Sequence, residues 1–411
     1  MRTYRELFRT PEFLPFFTTV SVQVAAQTAA GLALGTLVYT ATGSPLLSAL
    51  AMFGPSLAQV AGALTLLSAA DRLPPRATLT GLALLFALGT GVQAVPGLPL
   101  WAAFTVLLGL GVATSLGGGV RYGLLNEILP QRGFLLGRSV LNMAVGTMQI
   151  LGFAVGGVLV TALSARGTLL VGAALYVVAA ALARFGLTAR PPRATGRASV
   201  RETWRTNALL WSSAPRRSVY LALWVPNGLV VGCESLYIAY APAHAGLLFA
   251  CGAVGMLTGD ALVGRFVPGR WRARLGAPLR LLLAAPYLVF ALDPGLPVAV
   301  VAVVLASVGF SASLLLQERL MALTPEELSG HALGLSSSGM LAMQGVGAAV
   351  AGSVAQLTSP GTGMAAVAAL SLAVTVALAP GLRAGRGRGA EGRLQGEGSP
   401  RTTETKETTT S

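Results

Sequence analysis

The chain alternates long apolar runs with short polar breaks. No charged residue occurs from Phe13 to Ala70, or again from Ala332 to Leu382. Each of these stretches has room for two membrane helices of about 20 residues. Breakers divide them, Ala41-Thr42-Gly43-Ser44-Pro45 in the first and Ser359-Pro360-Gly361 in the second. Followed along the whole chain, the pattern predicts twelve spans, at about 13–39, 45–69, 77–95, 100–125, 139–163, 167–183, 218–240, 245–267, 281–292, 297–316, 332–357 and 363–379. Between the sixth and seventh lies the one long polar interruption, 184–217.

Charge supports the same count by an independent route. The 184–217 stretch carries arginine at 184, 190, 193, 197, 201, 205, 216 and 217 against a single acid, Glu202. Most other arginines lie at the N-terminus, in the connectors after the second, fourth, eighth and tenth spans, and in the tail. The alternate connectors hold only Arg166, Asp293 and His244. Such alternation is the positive-inside pattern, and a miscount by one span would scramble it. It predicts a multi-pass plasma-membrane protein with both termini cytoplasmic. The expected division is a bundle at 1–183, a basic cytoplasmic connector at 184–217, a second bundle at 218–380 and a disordered tail at 381–411, where nothing could build a core.

Composition agrees with lipid as the solvent. The chain is 54% hydrophobic and 11% charged, with mean hydropathy +0.69, whereas soluble domains are about one quarter charged. The net charge of +14 does not form a folded basic domain with stacking aromatics, so nucleic acid is not an expected partner. Cys233 and Cys251 both sit in apolar runs and read as small buried hydrophobes rather than a disulfide. The first apolar run is too long for a signal peptide and reads as an uncleaved span.

The halves repeat. A shift of 195 residues pairs Pro130 with Pro325, Met148 with Met343, Gln149 with Gln344, Gly152 with Gly347 and Gly157 with Gly352. These positions fall in or just before the fifth span of each half, which supports a duplication of six spans. Parallel repeats of this kind form one class of transporter, with the substrate site near the membrane midplane.

With twelve spans, the basic central connector and these motifs, residues 1 to about 380 resemble the major facilitator superfamily. Within it they look most like drug and siderophore exporters of the enterobactin-exporter and macrolide-efflux kind. The likeness rests on the opening Phe8-Arg9-Thr10-Pro11-Glu12-Phe13 and on Arg121-Tyr122-Gly123-Leu124-Leu125-Asn126-Glu127-Ile128-Leu129-Pro130. Asp71, Arg72 and Arg76 match the family's loop between the second and third spans, although Leu67 replaces its leading glycine. Gly152, Gly156 and Gly157 match the antiporter motif of the fifth span, with Phe153 in place of its proline. The resemblance implies an all-α major facilitator fold of two six-helix bundles. It also implies proton-coupled export of a moderately hydrophobic small molecule by a monomer. An importer of a metabolite would share this architecture, and a non-transporting receptor or scaffold is the alternative from another class.

Candidate chemistry is sparse. Glu234 and Asp260 are acids inside spans, where an ionisable residue points to function. Both are candidates for proton coupling, and a solvated position near the interface is the competing reading for each. Asp71, Arg72 and Arg76 form a candidate gating latch, set against a loop that is merely basic. Arg121 is a partner for Asp71, a contact for an anionic ligand, or a side chain snorkelling to the interface. Gln23, Gln27, Asn142, Gln149, Asn227 and Gln344 are candidates for the cavity lining, with interhelical hydrogen bonding as the other role. Arg121, Gly152, Gly156 and Gly157 are further gating candidates, while Gly152 and Gly156, like Gly255 and Gly259, also read as packing seams. No Walker motif, metal-ligand spacing or nucleophile triad is present, so neither a cofactor nor an enzyme is expected.

Overall fold

The structure is a computed structural model that describes residues 4–66, 73–129, 131–192, 200–325 and 328–397. Its first half comprises α1 (Tyr4–Phe8), α2 (Phe13–Thr42), α3 (Pro45–Leu66), α4 (Pro75–Gln93), α5 (Leu100–Ile128) and α6 (Gln131–Gly186). The connector holds α7 (Val200–Ser212). The second half has α8 (Ala214–Ser235), α9 (Tyr237–Tyr240) and α10 (Ala245–Ala261), which winds into a π-helical turn at Leu262–Phe266. α11 (Gly269–Leu282) then passes into a 3₁₀ segment (Ala285–Leu292). α12 (Leu296–Gly309), α13 (Ala312–Ala322), α14 (Ser329–Leu357) and α15 (Pro360–Glu397) follow.

Among the described residues, eleven helical segments are long and apolar enough to cross a membrane. Leu84, Leu88, Val158, Val177, Val301 and Val376 stand exposed on them. Such surface would be costly in water and is natural against lipid. Helix ends follow local rules. Gly43 closes α2 at φ 63, with its N–H donating to the Tyr39 carbonyl. Pro45 and Pro75 open α3 and α4, where their missing N–H costs nothing.

α6 is continuous in hydrogen bonding but not in direction. Its 56 residues would extend about 84 Å if straight, against a hydrocarbon layer of about 30 Å. At Ser164 the backbone leaves the helical region, with φ 77 and ψ 166. The Ser164 hydroxyl accepts the Gly167 N–H at 3.3 Å, starting a new helical turn. Both limbs lie along α2. Going up the first limb, Gly137, Gly152 and Gly156 meet Phe13, Thr28 and Ala29; going down the second, Gly172 and Gly186 meet Ala30 and Pro15. The order of these contacts reverses after Ser164, so α6 is a hairpin.

The 195-residue offset has a structural meaning. Gly152 of α6 lies against α2 at Ala25 and Thr28, and its counterpart Gly347 of α14 lies against α8 at Gly228. Five residues on, Gly157 reaches across to Gly246 of α10, and Gly352 reaches across to Leu46 of α3. Equivalent glycines therefore make equivalent contacts, one within their own half and one to the other half. The first spans of the two halves are the most enclosed: 67% of the apolar window is buried in Phe13–Thr42 and 83% in Ala214–Tyr240.

Three elements differ from the sequence expectation. The ninth span, expected at 281–292, takes in part of α11 and runs over Arg274–Leu292. It changes to 3₁₀ winding beside Pro286, which has no N–H to carry the α ladder onward. Residues 381–397, expected to be disordered, continue α15, since extending a formed helix needs no new nucleus. Residues 398–411 lie outside the described part. The connector, expected only as a basic linker, contains α7.

Candidate functional site

The two halves meet at the end remote from the arginine-rich connectors. There Gly157 and Gly246 approach so closely that a Cβ on Gly246 would stand 2.6 Å from the Gly157 Cα. Beside them Phe153 stacks on Phe249 with ring centres 4.6 Å apart. Tyr39 donates its hydroxyl to the Ala239 carbonyl at 3.4 Å, and Ser44 donates to Gln356 Oε1 at 2.7 Å. Gly35 faces Ile238. These contacts form a seam that continues down α3 and α14 as far as Leu57 and Gly345.

Below the seam, three of the expected cavity amides fall within about two helical turns of one another. Gln27 is at the middle of α2 and is the one exposed residue between Pro15 and Tyr39. Gln149 is exposed on α6 one turn below Gly152, which itself meets Thr28 beside Gln27. Gln344, half-buried on α14, adjoins Gly345 and Leu57. Leu57 lies about one turn below Met52, and Met52 packs on Gly35 of α2. That chain of contacts brings Gln344 to the height of Gly31, one turn above Gln27. Gly31 has open space in front of it. Asn142, also exposed, shares a face of α6 with Gln149 and Phe153, seven and eleven residues on. Since Phe153 meets α10 at the seam, this face looks into the gap between the halves.

Glu234 lies beside this layer. It is one turn before Ile238, the residue that meets Gly35, and is 8% exposed. Its Oε1 is buried and makes no hydrogen bond among the described residues. The nearby groups that interact with it electrostatically are Cys233, Tyr237 and Tyr287. The Tyr237 and Tyr287 hydroxyls are hydrogen-bonded to each other, and Tyr237 packs edge-on against Phe249 of the seam. Glu234 is thus joined to the inter-half contact through one aromatic neighbour.

The remaining candidates fall elsewhere. Gln23 is buried while Gln27 is exposed, so the two do not share one lining face. Asn227 is 2% exposed and donates to the Leu223 carbonyl at 2.6 Å and to Ser313 Oγ at 3.1 Å, which ties α8 to α13. Asp260 is exposed at the end of α10, next to the π turn. Gly255 and Gly259 pack on Val304 and Val308 of α12. Arg121 is half-buried and acts electrostatically on Tyr176 of the second limb of α6. Asp71 and Arg72 lie outside the described residues. Arg76 donates to the Leu187 carbonyl at 3.4 Å, at the end of α6. Among the described residues, no group of three or more His, Cys, Asp or Glu could hold a metal.

The arginine-rich end contains a clamp that sequence reading missed. Glu12 accepts from Arg190 Nη1 and Nη2 at 2.8 and 3.1 Å, from the Thr188 N–H at 3.1 Å and from the Thr188 hydroxyl at 2.8 Å. Arg190 also reaches Glu127 at 3.5 Å. Glu12 has φ 67, a backbone state that disfavours a residue with a side chain, and the clamp holds it there. Partial burial pushes its carboxyl up, but the Thr188 hydrogen bonds and the Arg190 charge outweigh this and hold it below its ordinary 4.5. Because the folded value is depressed, the stabilisation is present above pH 4.5 and is lost as pH falls through the folded value. Arg190→Gln is expected to cost about 1 kcal/mol at neutral pH. Denaturant unfolding of the purified protein should show that difference shrinking below pH 4.5; a pH-independent difference would contradict the ionic role.

Known proteins resemble most of the chain. Residues 16–317 match the family model described as Major Facilitator Superfamily. No curated protein matched. Among solved structures, a POT family transporter in complex with a thioalcohol-conjugated peptide superposes with TM-score 0.69 at 11% identity, over 89% of this chain and 95% of that one. A bacterial homologue of the human lysosomal transporter Spinster, inward-facing and unoccupied, gives 0.67 at 14%, over 93% of each chain. The nucleoside transporter NupG gives 0.64 at 14%, over 90% of this chain and 98% of that one.

Proposed function

The chain belongs to the Major Facilitator Superfamily, and on that premise we propose that it is a proton-coupled exporter of a moderately hydrophobic small molecule. Its place in a family of transporters makes it a membrane transporter of small molecules and not an enzyme. The finer reading has twelve spans in two six-helix bundles, 1–183 and 218–380, rocking about the amide layer. The hairpin at Ser164 supports it by splitting α6 into two membrane-length limbs. The matched glycine contacts support the duplication. With the arginine-rich end assigned to the cytoplasm of a plasma membrane, the closed seam is external and this conformation opens inward.

The observation that carries the reading is the layer of Gln27, Gln149 and Gln344 near the midplane, below a closed seam and beside the buried Glu234. Amides without fixed charge suit a neutral or weakly cationic amphiphile: drug, secondary metabolite or siderophore. Exporter direction rests on the likeness to the enterobactin-exporter and macrolide-efflux proteins. It is tested with purified protein in proteoliposomes, under an imposed pH gradient, against a panel of lipophilic drugs and siderophore-like compounds. Gradient-dependent movement opposite to the protons is expected. Movement with the protons would establish an importer instead, and no movement of any compound would count against the exporter reading.

A further inference from the structure

The connector carries a surface that transport does not use. Leu210 of α7 is buried in the second half among Tyr220, Leu223 and Leu320. Trp211 stacks on Trp224 of α8 with ring centres 5.4 Å apart and planes 9° from parallel. Arg216 donates from Nη2 to the Leu209 carbonyl at 3.1 Å and braces the corner between α7 and α8. The helix is firmly held, yet Trp204 is 58% and Leu209 55% exposed. Trp204 is two turns from Trp211 on the same face, and Arg205 and Arg217 are exposed nearby. Phe185, Phe266 and Trp271 are exposed at this same arginine-rich end, and the Arg274 guanidinium lies 5.5 Å from the Trp271 ring centre.

We propose that α7 is an interfacial helix that docks on anionic lipid headgroups in the leaflet at the arginine-rich end. Tryptophan is favoured at the headgroup boundary, where its ring is half in apolar surroundings and its N–H stays wet. A helix with Trp204 beside its buried stripe and with Leu209 and Arg205 together on its outer face is built for that plane. Arg205 and Arg217 select anionic over zwitterionic lipid by charge. The Trp211–Trp224 stack transmits the anchoring to α8, so the surface sets the depth of the second half.

The test uses the full chain in lipid nanodiscs containing dibrominated phosphatidylglycerol or dibrominated phosphatidylcholine. The contribution of Trp204 is taken as the difference in fluorescence between wild type and Trp204→Phe. Stronger quenching of Trp204 by the brominated anionic lipid is expected. The double variant Arg205→Gln/Arg217→Gln should lower that preference by about 25-fold, at about fivefold per arginine near an anionic surface. Raised ionic strength should weaken it as well. Absence of Trp204 quenching by either lipid would overturn the proposal and point to a protein or aqueous environment. Equal quenching by both lipids, unaffected by the arginine substitutions, would overturn the selective recognition of anionic headgroups. All substituted positions are exposed, and unchanged thermal stability confirms that the variants fold.

Discussion

Glu234→Gln is expected to abolish flux driven by a proton gradient, down to the level of protein-free vesicles, while the protein stays folded and still exchanges substrate across the membrane at equal concentrations. The substitution keeps shape and removes the exchangeable proton. Glu234 has the features a coupling group needs. It is buried one turn below the Gly35–Ile238 contact, and its Oε1 has no hydrogen bond among the described residues. Through Tyr237 it adjoins the Phe249 contact, which must open if the halves rock. An intramembrane carboxyl is costly to keep unless it has a function. Its titratable neighbours among the described residues are Cys233, Tyr237 and Tyr287. Paired assays of gradient-driven flux and substrate exchange separate coupling from binding. Loss of both would make Glu234 a binding or structural group, and unchanged gradient-driven flux would move attention to Asp260.

Gly157→Leu should push the seam open. Gly157 and Gly246 meet backbone to backbone, so a branched side chain has nowhere to go while the halves touch. Overpacking of a closed contact costs about 1–3 kcal/mol, which shifts the ratio of closed to open seam by about 5- to 150-fold. The reporter is Gln27→Cys in a background with Cys233→Ala and Cys251→Ser, labelled by an impermeant maleimide from the side of the seam. Labelling should accelerate with Gly157→Leu and equally with Gly246→Leu, whereas Gly157→Ala should have a smaller effect. Unchanged labelling in protein that remains monodisperse would show that this contact is not the barrier on that side.

The candidate site was partly legible before folding. Gln149 and Gln344 were paired by the repeat offset, and each lies one turn before the glycine that packs on the first span of its half. Gln23 and Gln27 were both candidates for the lining, but their environments differ because neighbouring helices cover one and not the other. Asn227 looked like a lining residue, yet its amide is taken up by Leu223 and Ser313. The α7 helix was hidden because eight arginines dominate the connector. Its signal lies in the spacing of Trp204 and Trp211, with Leu210 between them.

The sequence by itself marked the apolar runs long enough to cross a membrane and the 195-residue offset between matching positions. Those are local properties. In hydrocarbon each span must satisfy its own backbone, so apolar length and breaker residues suffice to mark it. Even the reversal of α6 was readable as a gap between two apolar runs around Arg166. The tertiary structure alone decided which partners meet. Glu12 takes Arg190 out of eight connector arginines, Gly157 faces Gly246, and Glu234 stands beside a tyrosine pair. These contacts join positions far apart in the chain, and they depend on the angles at which whole helices pack, which no local pattern of residues encodes.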